Sequence, residues 1–501
     1  MKPPLVAKRL RALVTLCAAF YVVTFATCAV ARVLYPYELD FCEGALAAVL
    51  ARVEAHLPIY VAPGVHFTSM VYTPLDFQVA AALDRLHPGV YFGLRTTSVL
   101  ATFATAGIIA VVARRHRAPW FTVAAAVGVF FGASSRCAFI QDSAHVDALA
   151  LLFAIVGLAV LFEGNKSPFR AVVGGALVGL GFLTKQTMIV FVAMPLGWLL
   201  VERQWMRALA FLTAALAMIV GLLAHWELLS NPWFYFWVFK LESTAKLRLV
   251  KLFVEAPLYL VVCLPVGLVV GVLGGVLDGS WREWPRRAWA DPWAVCTLAY
   301  AGMSIVAKAK DGGGQNVFLP VFALTAMQLG RHAHALLDWS PHRFAMLVLL
   351  QLVILVYPPT LFWPTEADRK AGDRIVEQIA KFPGEVYVPA FPAYAVRAGK
   401  SWWVHYTVVC GLAQFDQTLR QQIGQEIRAQ RFSAIFPRTD VEWMDIGICD
   451  LPGLDEYYEP VDEVAPVSRP SVADVLSWRP SVAAIAHGGK LGRIYVPRRA
   501  R

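Results

Sequence analysis

Residues 12–43 read ALVTLCAAFYVVTFATCAVARVLYPYELDFCE, a long apolar run followed directly by a cluster of acids. An apolar run of this length is long enough for a helix to cross a lipid bilayer. Glu38, Asp40 and Glu43 then follow within six positions. The stretch therefore predicts a membrane span whose end leads at once into an acidic loop.

The composition of the whole chain is that of a polytopic membrane protein. Of its 501 residues, 58% are hydrophobic and 16% are charged, whereas soluble domains have about 25% charged residues. The mean hydropathy is +0.56, and apolar runs of near-spanning length recur along the chain. The net charge of +10 indicates basic cytoplasmic loops and contact with anionic lipid, because no stretch resembles a nucleic-acid-binding module.

Eleven apolar segments predict eleven transmembrane helices, with the N-terminus in the cytoplasm and the C-terminus outside. Lys and Arg concentrate in the segments that this orientation places in the cytoplasm, which is the usual bias of membrane proteins. Residues 1–362 are thus expected to form an α-helical membrane domain. The predicted spans are 12–34, 93–113, 119–138, 144–162, 171–185, 187–201, 208–229, 252–277, 293–307, 317–330 and 344–362.

Residues 35–92 are then an outer loop with two helical segments at the membrane surface. EGALAAVLARVEAHL (43–57) has helical periodicity and predicts an amphipathic interfacial helix. YTPLDFQVAAALDRLHPG (72–89) carries acids in an apolar context. We interpret it as a second interfacial or half-inserted helix, because a full span there would place a basic loop outside.

The tail, residues 363–501, has a different pattern and predicts a small extracytoplasmic α/β domain. Residues 365–384 and 415–430 have helical periodicity, while EVYVPAF (385–391) and FSAIFPR (432–438) are strand-like. Trp402 and Trp403 would stack on sugar rings or, alternatively, fill the core of this domain.

The eight cysteines form no CxxC motif. Six lie in or beside apolar segments, where a thiol is usually a small apolar filler. The other two, Cys410 and Cys449, lie in the tail. They would be able to form a disulfide if the tail is extracytoplasmic.

Glu38, Asp40 and Glu43 are the candidate catalytic residues. A carboxylate placed where a water-excluding site meets the membrane can act as a general base toward an acceptor hydroxyl or amine. The alternative is structural: Glu43 would only open the following helix, where acids favour the positive helix end, and the other two would be solvated.

A second acidic group, Asp142, His145 and Asp147, lies on the same predicted side of the membrane in SSRCAFIQDSAHVDALALLF (134–153). Asp147 lies deepest, and an acid at such a depth indicates function. We expect Asp147 and Asp142 to orient the acceptor or a metal ion; the alternative is a pair of helix-start acids. Carboxylates suit Mg²⁺ or Mn²⁺, so a divalent cation between Asp40 and Asp147 is an open alternative.

Two outer loops carry candidate phosphate ligands. GLGFLTKQT (179–187) contains Lys185 and Gln186, and VAKAKDGGGQNVF (306–318) contains Lys308, Lys310 and Asn316. Lysine binds phosphate as a point charge, and a glycine-rich turn lets backbone N–H groups approach an anion. The alternatives are a lysine that snorkels to the membrane surface and a tight hairpin.

A further basic loop is KLESTAKLRLVK (240–251). It is explained either by an anionic lipid-linked substrate or by contact with anionic lipid. No nucleotide-binding fingerprint occurs. An already activated lipid carrier, linked through phosphate, is therefore expected to supply the free energy for the reaction.

The ordered set of segments resembles the integral-membrane glycosyltransferases of the GT-C type, which include protein O-mannosyltransferases and lipid A aminoarabinose transferases. The similarity extends over essentially the whole chain. The segments that carry it are ELDFCEGALAAVLARV, YTPLDF, VDALALLFA, GLGFLTKQT, GGGQNVFLPVFAL and the tail segments TEADRKAGDRIVEQI and VPAFPAYAVRAGK.

The resemblance implies inverting transfer of a sugar from a polyprenyl-phosphate donor to a glycan, lipid or protein acceptor outside a bacterial cytoplasmic membrane. The catalytic carboxylate would fall on Asp40 or Glu43, and the second acidic position on Asp147. The usual adjacent Asp-Glu pair is replaced here by Cys42-Glu43. The Lys that precedes Pro-Pro-Leu in aminoarabinose transferases is absent, which directs attention to Lys185.

Two rival functions are a transporter or lipid flippase and a non-catalytic binding protein of the same fold. A transporter would account for charges within the membrane without catalysis. The sequence shows no convincing internal repeat, and its polar residues gather on one outer face. These two observations favour the transferase.

Overall fold

The computed structural model describes residues 5–40, 42–276, 289–437, 451–463 and 493–498. Its apolar segments are helical as far as residue 354. The first nine helices are α1 (Leu5–Val33), α2 (Glu43–Glu54), α3 (Leu75–Asp84), α4 (Phe92–Arg115), α5 (Trp120–Gly132), α6 (Asp147–Phe162), α7 (Pro168–Thr184), α8 (Ile189–Val201) and α9 (Trp205–His225). In the described residues between α9 and the tail, eight further α-helices follow: Pro232–Tyr235, Leu241–Thr244, Ala256–Cys263, Pro265–Val276, Pro292–Ala309, Leu319–Arg331, Ala333–Trp339 and Pro341–Ile354.

Several of these helices begin at the same local signal, a capping side chain followed by proline. Ser167, Asn231, Asp291 and Ser340 each accept a hydrogen bond from a backbone N–H of the first turn, with proline at the next position. The cap satisfies a free N–H, and proline lacks the N–H that would have no partner there. The sequence thus marks where these four helices begin.

Each of the eleven predicted spans overlaps at least one helix. Among the described helices, three are long and apolar enough to cross a membrane by length and composition: Lys8–Val33, Phe92–Arg115 and Trp205–His225. Shorter apolar helices cover Asp147–Phe162, Pro168–Thr184, Gln186–Val201 and Pro341–Ile354. The number of spans and the orientation of the chain stay predictions.

The two helices expected in the outer loop are present as α2 and α3. Helix α2 is buried along most of its length, because it packs between α3 and the tail helix Pro392–Arg397. Helix α3 packs closely on α4 at Gly93, where a Cβ atom would lie 2.2 Å from the carbonyl oxygen of Ala80. Their position at the membrane surface stays a prediction.

The tail combines short helices with a four-stranded mixed sheet. Its strands are β1 (Val386–Tyr387), β2 (Ala434–Ile435), β3 (Tyr458–Glu463) and β4 (Arg493–Pro497), in the order β1-β2-β4-β3. β1 and β2 are parallel, and the other pairs are antiparallel. The helices are Glu366–Ala380, Pro392–Arg397, Tyr406–Ala413, Thr418–Arg428 and Leu454–Tyr457. Both predicted helices and both predicted strands are therefore present, while the domain boundary at 362–363 stays a prediction.

The tail packs directly on the outer loop. The Tyr37 ring stacks on Tyr394 with centroids 5.0 Å apart, and its hydroxyl donates a hydrogen bond to Asp373. Trp403 is buried among tail and loop residues, so it has the core position that the sequence left as one alternative. Cys410 is disulfide-bonded, and Cys449 lies outside the described residues.

Candidate functional site

Arg95, in the first turn of α4, shapes the acidic loop. Its guanidinium donates hydrogen bonds to the carbonyl oxygens of Arg32, Tyr35 and Tyr37 at 2.9, 2.5 and 2.6 Å. It also donates to both carboxylate oxygens of Glu43. Arg95 was not predicted as a site residue, because it lies near the start of a segment predicted to be a membrane span.

Glu43 is fully buried and has all of its partners within the protein. Besides Arg95, it accepts the backbone N–H groups of Leu39 at 2.6 Å and Ala144 at 2.7 Å. Burial raises the pKa of Glu43, but Arg95 and these donors more than offset it and lower the pKa overall. Glu43 is thus an ionised carboxylate that connects the acidic loop to the segment before α6.

Asp40 is buried beside His145. Its Oδ1 accepts the N–H of Cys42 at 2.9 Å and lies 3.1 Å from Nε2 of His145. The bond to Cys42 is a local turn that aspartate side chains favour. Asp40 and His145 are therefore a buried, hydrogen-bonded pair.

Asp147, Lys185 and Asn316 meet at one carboxylate oxygen. Lys185 Nζ is 2.7 Å from Asp147 Oδ1, and Asn316 Nδ2 is 3.2 Å from the same atom. The Tyr72 ring lies 5.5 Å from Nζ. The ammonium has three donors, so binding Asp147 leaves donors for another ligand. Three separately predicted segments thus come together here.

Asp142 and Gln186 make structural contacts. Asp142 forms an ion pair with Arg32 at 3.0 Å, and both side chains are buried. Burial raises the pKa of Asp142 to about 6, although Arg32 opposes the shift. Gln186 donates to the carbonyl oxygens of Val71 and Val238. Their predicted roles toward acceptor and phosphate stay predictions.

Lys308 and Lys310 bond to backbone carbonyl groups. Lys308 Nζ donates to Gly313 at 2.8 Å, and Lys310 Nζ donates to Glu242 at 3.2 Å. The 306–318 loop is also joined to the basic 240–251 loop by a backbone bridge between Leu247 and Lys310. Of the three residues predicted in this loop, Asn316 is the one with a described hydrogen bond to Asp147.

Glu38 is buried at the contact between α2 and the tail. Its Oε1 would be 2.6 Å from a Cβ atom built on Gly44, and Pro392 of the tail is next to the same point. Burial raises the pKa of Glu38 well above its usual value, partly opposed by the hydroxyl of Tyr91. Burial thus disfavours the ionised form of Glu38.

Asp76 is a further residue of the site that was not predicted from the sequence. It lies in the first turn of α3 and is completely buried. Burial and the charge of Asp147 raise its pKa to about 8, with His145 opposing the shift. The signal in the sequence was an acid just after Pro74 in an apolar segment.

The residues fit a metal site poorly. In the described ranges, no group of three or more His, Cys, Asp or Glu side chains is arranged to hold a metal ion. Asp40 and Asp147 instead have His145 and Lys185 as partners. Binding of Mg²⁺ or Mn²⁺ between the two carboxylates stays a prediction.

The chain is similar to known sugar transferases in sequence over one segment and in fold over almost its full length. Residues 74–226 match the family model described as dolichyl-phosphate-mannose-protein mannosyltransferase. This range includes Asp76, Asp147 and Lys185. No curated protein matches the chain.

Two crystal structures of ArnT from Cupriavidus metallidurans have a similar fold. The apo structure has 14% sequence identity and a TM-score of 0.57, and the match covers 96% of this chain and 98% of ArnT. The structure bound to undecaprenyl phosphate has 13% identity and a TM-score of 0.56, covering 97% and 98%. The expected resemblance to the GT-C type is confirmed, as is a mostly helical architecture with a small sheet.

Proposed function

We propose that the protein is an inverting glycosyltransferase that moves a sugar from a polyprenyl-phosphate donor to an acceptor outside a bacterial cytoplasmic membrane. The observation that carries this proposal is that a buried carboxylate, Asp40, and a buried cation, Lys185, share one site. His145 links them, because it binds Asp40 and lies two residues before Asp147, which binds Lys185. The undecaprenyl phosphate bound to ArnT supports the choice of donor.

In this mechanism, Asp40 is the general base. Its Oδ1 is engaged by Cys42 and His145, so Oδ2 would take the proton of the acceptor hydroxyl. The acceptor oxygen forms a bond to the anomeric carbon as the bond from that carbon to the phosphate oxygen breaks on the opposite face. The sugar is transferred with inversion, and the electron pair leaves with the polyprenyl phosphate.

Lys185 would stabilise the leaving phosphate, where negative charge develops. Preorganised cations at such a position lower the barrier more than they tighten binding of the substrate. Asp147 and Asn316 hold the ammonium in place, and Asp147 would also orient the acceptor. Gln186, Lys308 and Lys310 would extend the phosphate site, as the sequence predicts.

The test is sugar transfer by the purified full-length protein in liposomes. Radiolabelled polyprenyl-phosphate sugars are supplied with membrane extracts as acceptors, and nucleotide sugars serve as the matched control donors. We expect labelled product from a polyprenyl-phosphate donor and none from nucleotide sugars alone. If no such donor yields product and the protein instead moves a lipid or solute across the bilayer, the enzyme proposal fails.

A further inference from the structure

Four buried polar atoms near Lys185 have no hydrogen-bond partner within the described part of the chain. They are Oδ1 and Oδ2 of Asp76, Nδ1 of His145 and Oδ2 of Asp147. Buried polar atoms in native proteins are nearly always paired, because leaving one unpaired costs the full desolvation of that group. A set of four indicates that a bound ligand supplies the partners.

These atoms belong to one place in the fold. Thr73, just before α3, donates a hydrogen bond to the carbonyl oxygen of Phe182 at 2.9 Å, which fixes the start of α3 to the end of α7. Lys185 follows directly after α7. The pKa of Asp76 responds to the charges of both Asp147 and His145, so the three side chains interact electrostatically.

We propose that Asp76, His145 and Asp147 form a subsite for the hydroxyl groups of the transferred sugar. Asp76 is the uncharged member and donates its proton in a hydrogen bond, whereas the free Oδ2 of Asp147 accepts one. This inference rests on the proposed function, because Lys185 would hold the phosphate to which that sugar is attached. Of two neighbouring sugar hydroxyls, one oxygen can accept the hydrogen bond from Asp76 and one O–H group can donate to Oδ2 of Asp147.

Such a subsite would make the enzyme selective for hydroxylated sugars. A site built to hydrogen-bond a hydroxyl discriminates strongly against an analogue without it, because its own buried groups then stay unpaired. Removing the Asp76 side chain should therefore slow transfer from the hydroxylated donor. It should also reduce the extent to which the deoxy donor is transferred more slowly than the hydroxylated one. A residue that only stabilised the fold would lower activity toward both donors equally.

The experiment compares transfer from polyprenyl-phosphate hexoses and from their monodeoxy analogues. The variants are Asp76→Ala, Asp76→Asn and the control Asp84→Asn, which lies in the same helix but accepts the N–H groups of Gly89 and Gly93. We expect Asp76→Ala to reduce the preference for one hydroxylated donor by about tenfold or more, the scale of one or two lost hydrogen bonds. Asp84→Asn should leave that preference unchanged.

Asp76→Asn keeps the shape and a donor group, so it should retain the preference at pH 7. Above about pH 8 the wild type should lose its preference for the hydroxylated donor, because Asp76 ionises. Asp76→Asn should keep that preference over the same pH range. Heat unfolding of each variant separates loss of fold from loss of selectivity. If Asp76→Ala folds and discriminates like the wild type, or if the wild type and Asp76→Asn respond alike to pH, the subsite is wrong although transfer itself stands. If the wild type transfers no sugar, both proposals fail.

Discussion

Arg95 binds both carboxylate oxygens of Glu43, with Nε 3.0 Å from Oε1 and Nη2 2.5 Å from Oε2. Both side chains are fully buried. Because the remaining positions of Glu43 accept backbone N–H groups, this carboxylate has no free oxygen to offer a substrate. The pair therefore supports Asp40, rather than Glu43, as the proposed base.

Replacing Arg95 should strongly destabilise the protein. Arg95→Ala leaves Glu43 buried without a cationic partner, and breaking a buried ion pair in this way costs about 3–5 kcal/mol. Unfolding of the purified protein in detergent measures the effect. Arg85→Ala, which removes an exposed arginine of the same outer loop, is the control, and equal unfolding of the two variants would contradict the structural role.

Much of this site was predictable from the sequence, because the distribution of Lys and Arg indicates which loops share a side of the membrane. Asp40, Asp147, Lys185 and Asn316 come from four separate segments, and the structure joins Asp147 to Lys185 and Asn316. The pairing of Asp40 with His145 was not predicted. Composition and charge bias indicate which loops lie on the same side of the membrane. They do not indicate which side chains of those loops form hydrogen bonds with one another.

The other features could not be predicted from the sequence, because they depend on contacts between residues far apart in the chain. Arg95 is 52 residues from Glu43 in sequence, and a single arginine at the start of an apolar segment does not reveal its partner. Asp76 looks like an ordinary acid of a loop helix until the packing of α3 on α4 buries it. The two-residue strands β1 and β2 were predictable, but β4, which pairs with β2, lies almost 60 residues further along the chain.

Asp76 should make stability depend on pH. Its pKa is raised from 3.8 to about 8 in the folded protein, so the folded state holds a proton that the unfolded state has lost between these values. The contribution of Asp76 to stability is therefore complete below pH 4 and decreases as the pH rises toward 8. Asp76→Asn removes this dependence.

Heat unfolding of the wild type and Asp76→Asn at pH 5 and pH 8 checks this prediction. At each pH, the difference in unfolding temperature between Asp76→Asn and the wild type is measured. This difference should favour the variant more at pH 8 than at pH 5. An unchanged difference between the two proteins at both pH values would show that Asp76 does not hold a proton in the folded state.

Lys185 should matter more for turnover than for folding. Lys185→Gln keeps hydrogen-bonding capacity but removes the charge, and loss of one preorganised group at developing negative charge reduces kcat by about 10²–10³-fold. Transfer kinetics with a polyprenyl-phosphate sugar measure the change. Lys166→Gln, at an exposed position, is the control; a Lys185→Gln enzyme with normal kcat would exclude the phosphate role.

The contact between tail and acidic loop should not tolerate a methyl group at Gly372. A Cβ atom there would lie 2.3 Å from the Tyr37 ring, and overpacking of this kind costs about 1–3 kcal/mol. Gly411 also lies in a tail helix, but a Cβ atom there meets nothing within 4 Å. Gly411→Ala should be neutral or stabilising, since alanine favours helix over glycine by about 1 kcal/mol.

Unfolding temperatures of Gly372→Ala and Gly411→Ala give the comparison. Because the backbone of Tyr37 also binds Arg95, Gly372→Ala should reduce transfer as well as stability. Equal unfolding temperatures for the two variants would show that the tail is not packed tightly on Tyr37.

The central claim is that Asp40 takes the proton of the acceptor, and single-turnover transfer by Asp40→Asn tests it most directly. The variant is loaded with a radiolabelled polyprenyl-phosphate sugar, and bound donor and transferred sugar are measured separately, with Glu43→Gln in parallel. We predict that Asp40→Asn binds the donor but transfers sugar about 10²–10⁴-fold more slowly, the usual contribution of a general base. A folded Asp40→Asn protein that transfers sugar at the wild-type rate would contradict the mechanism.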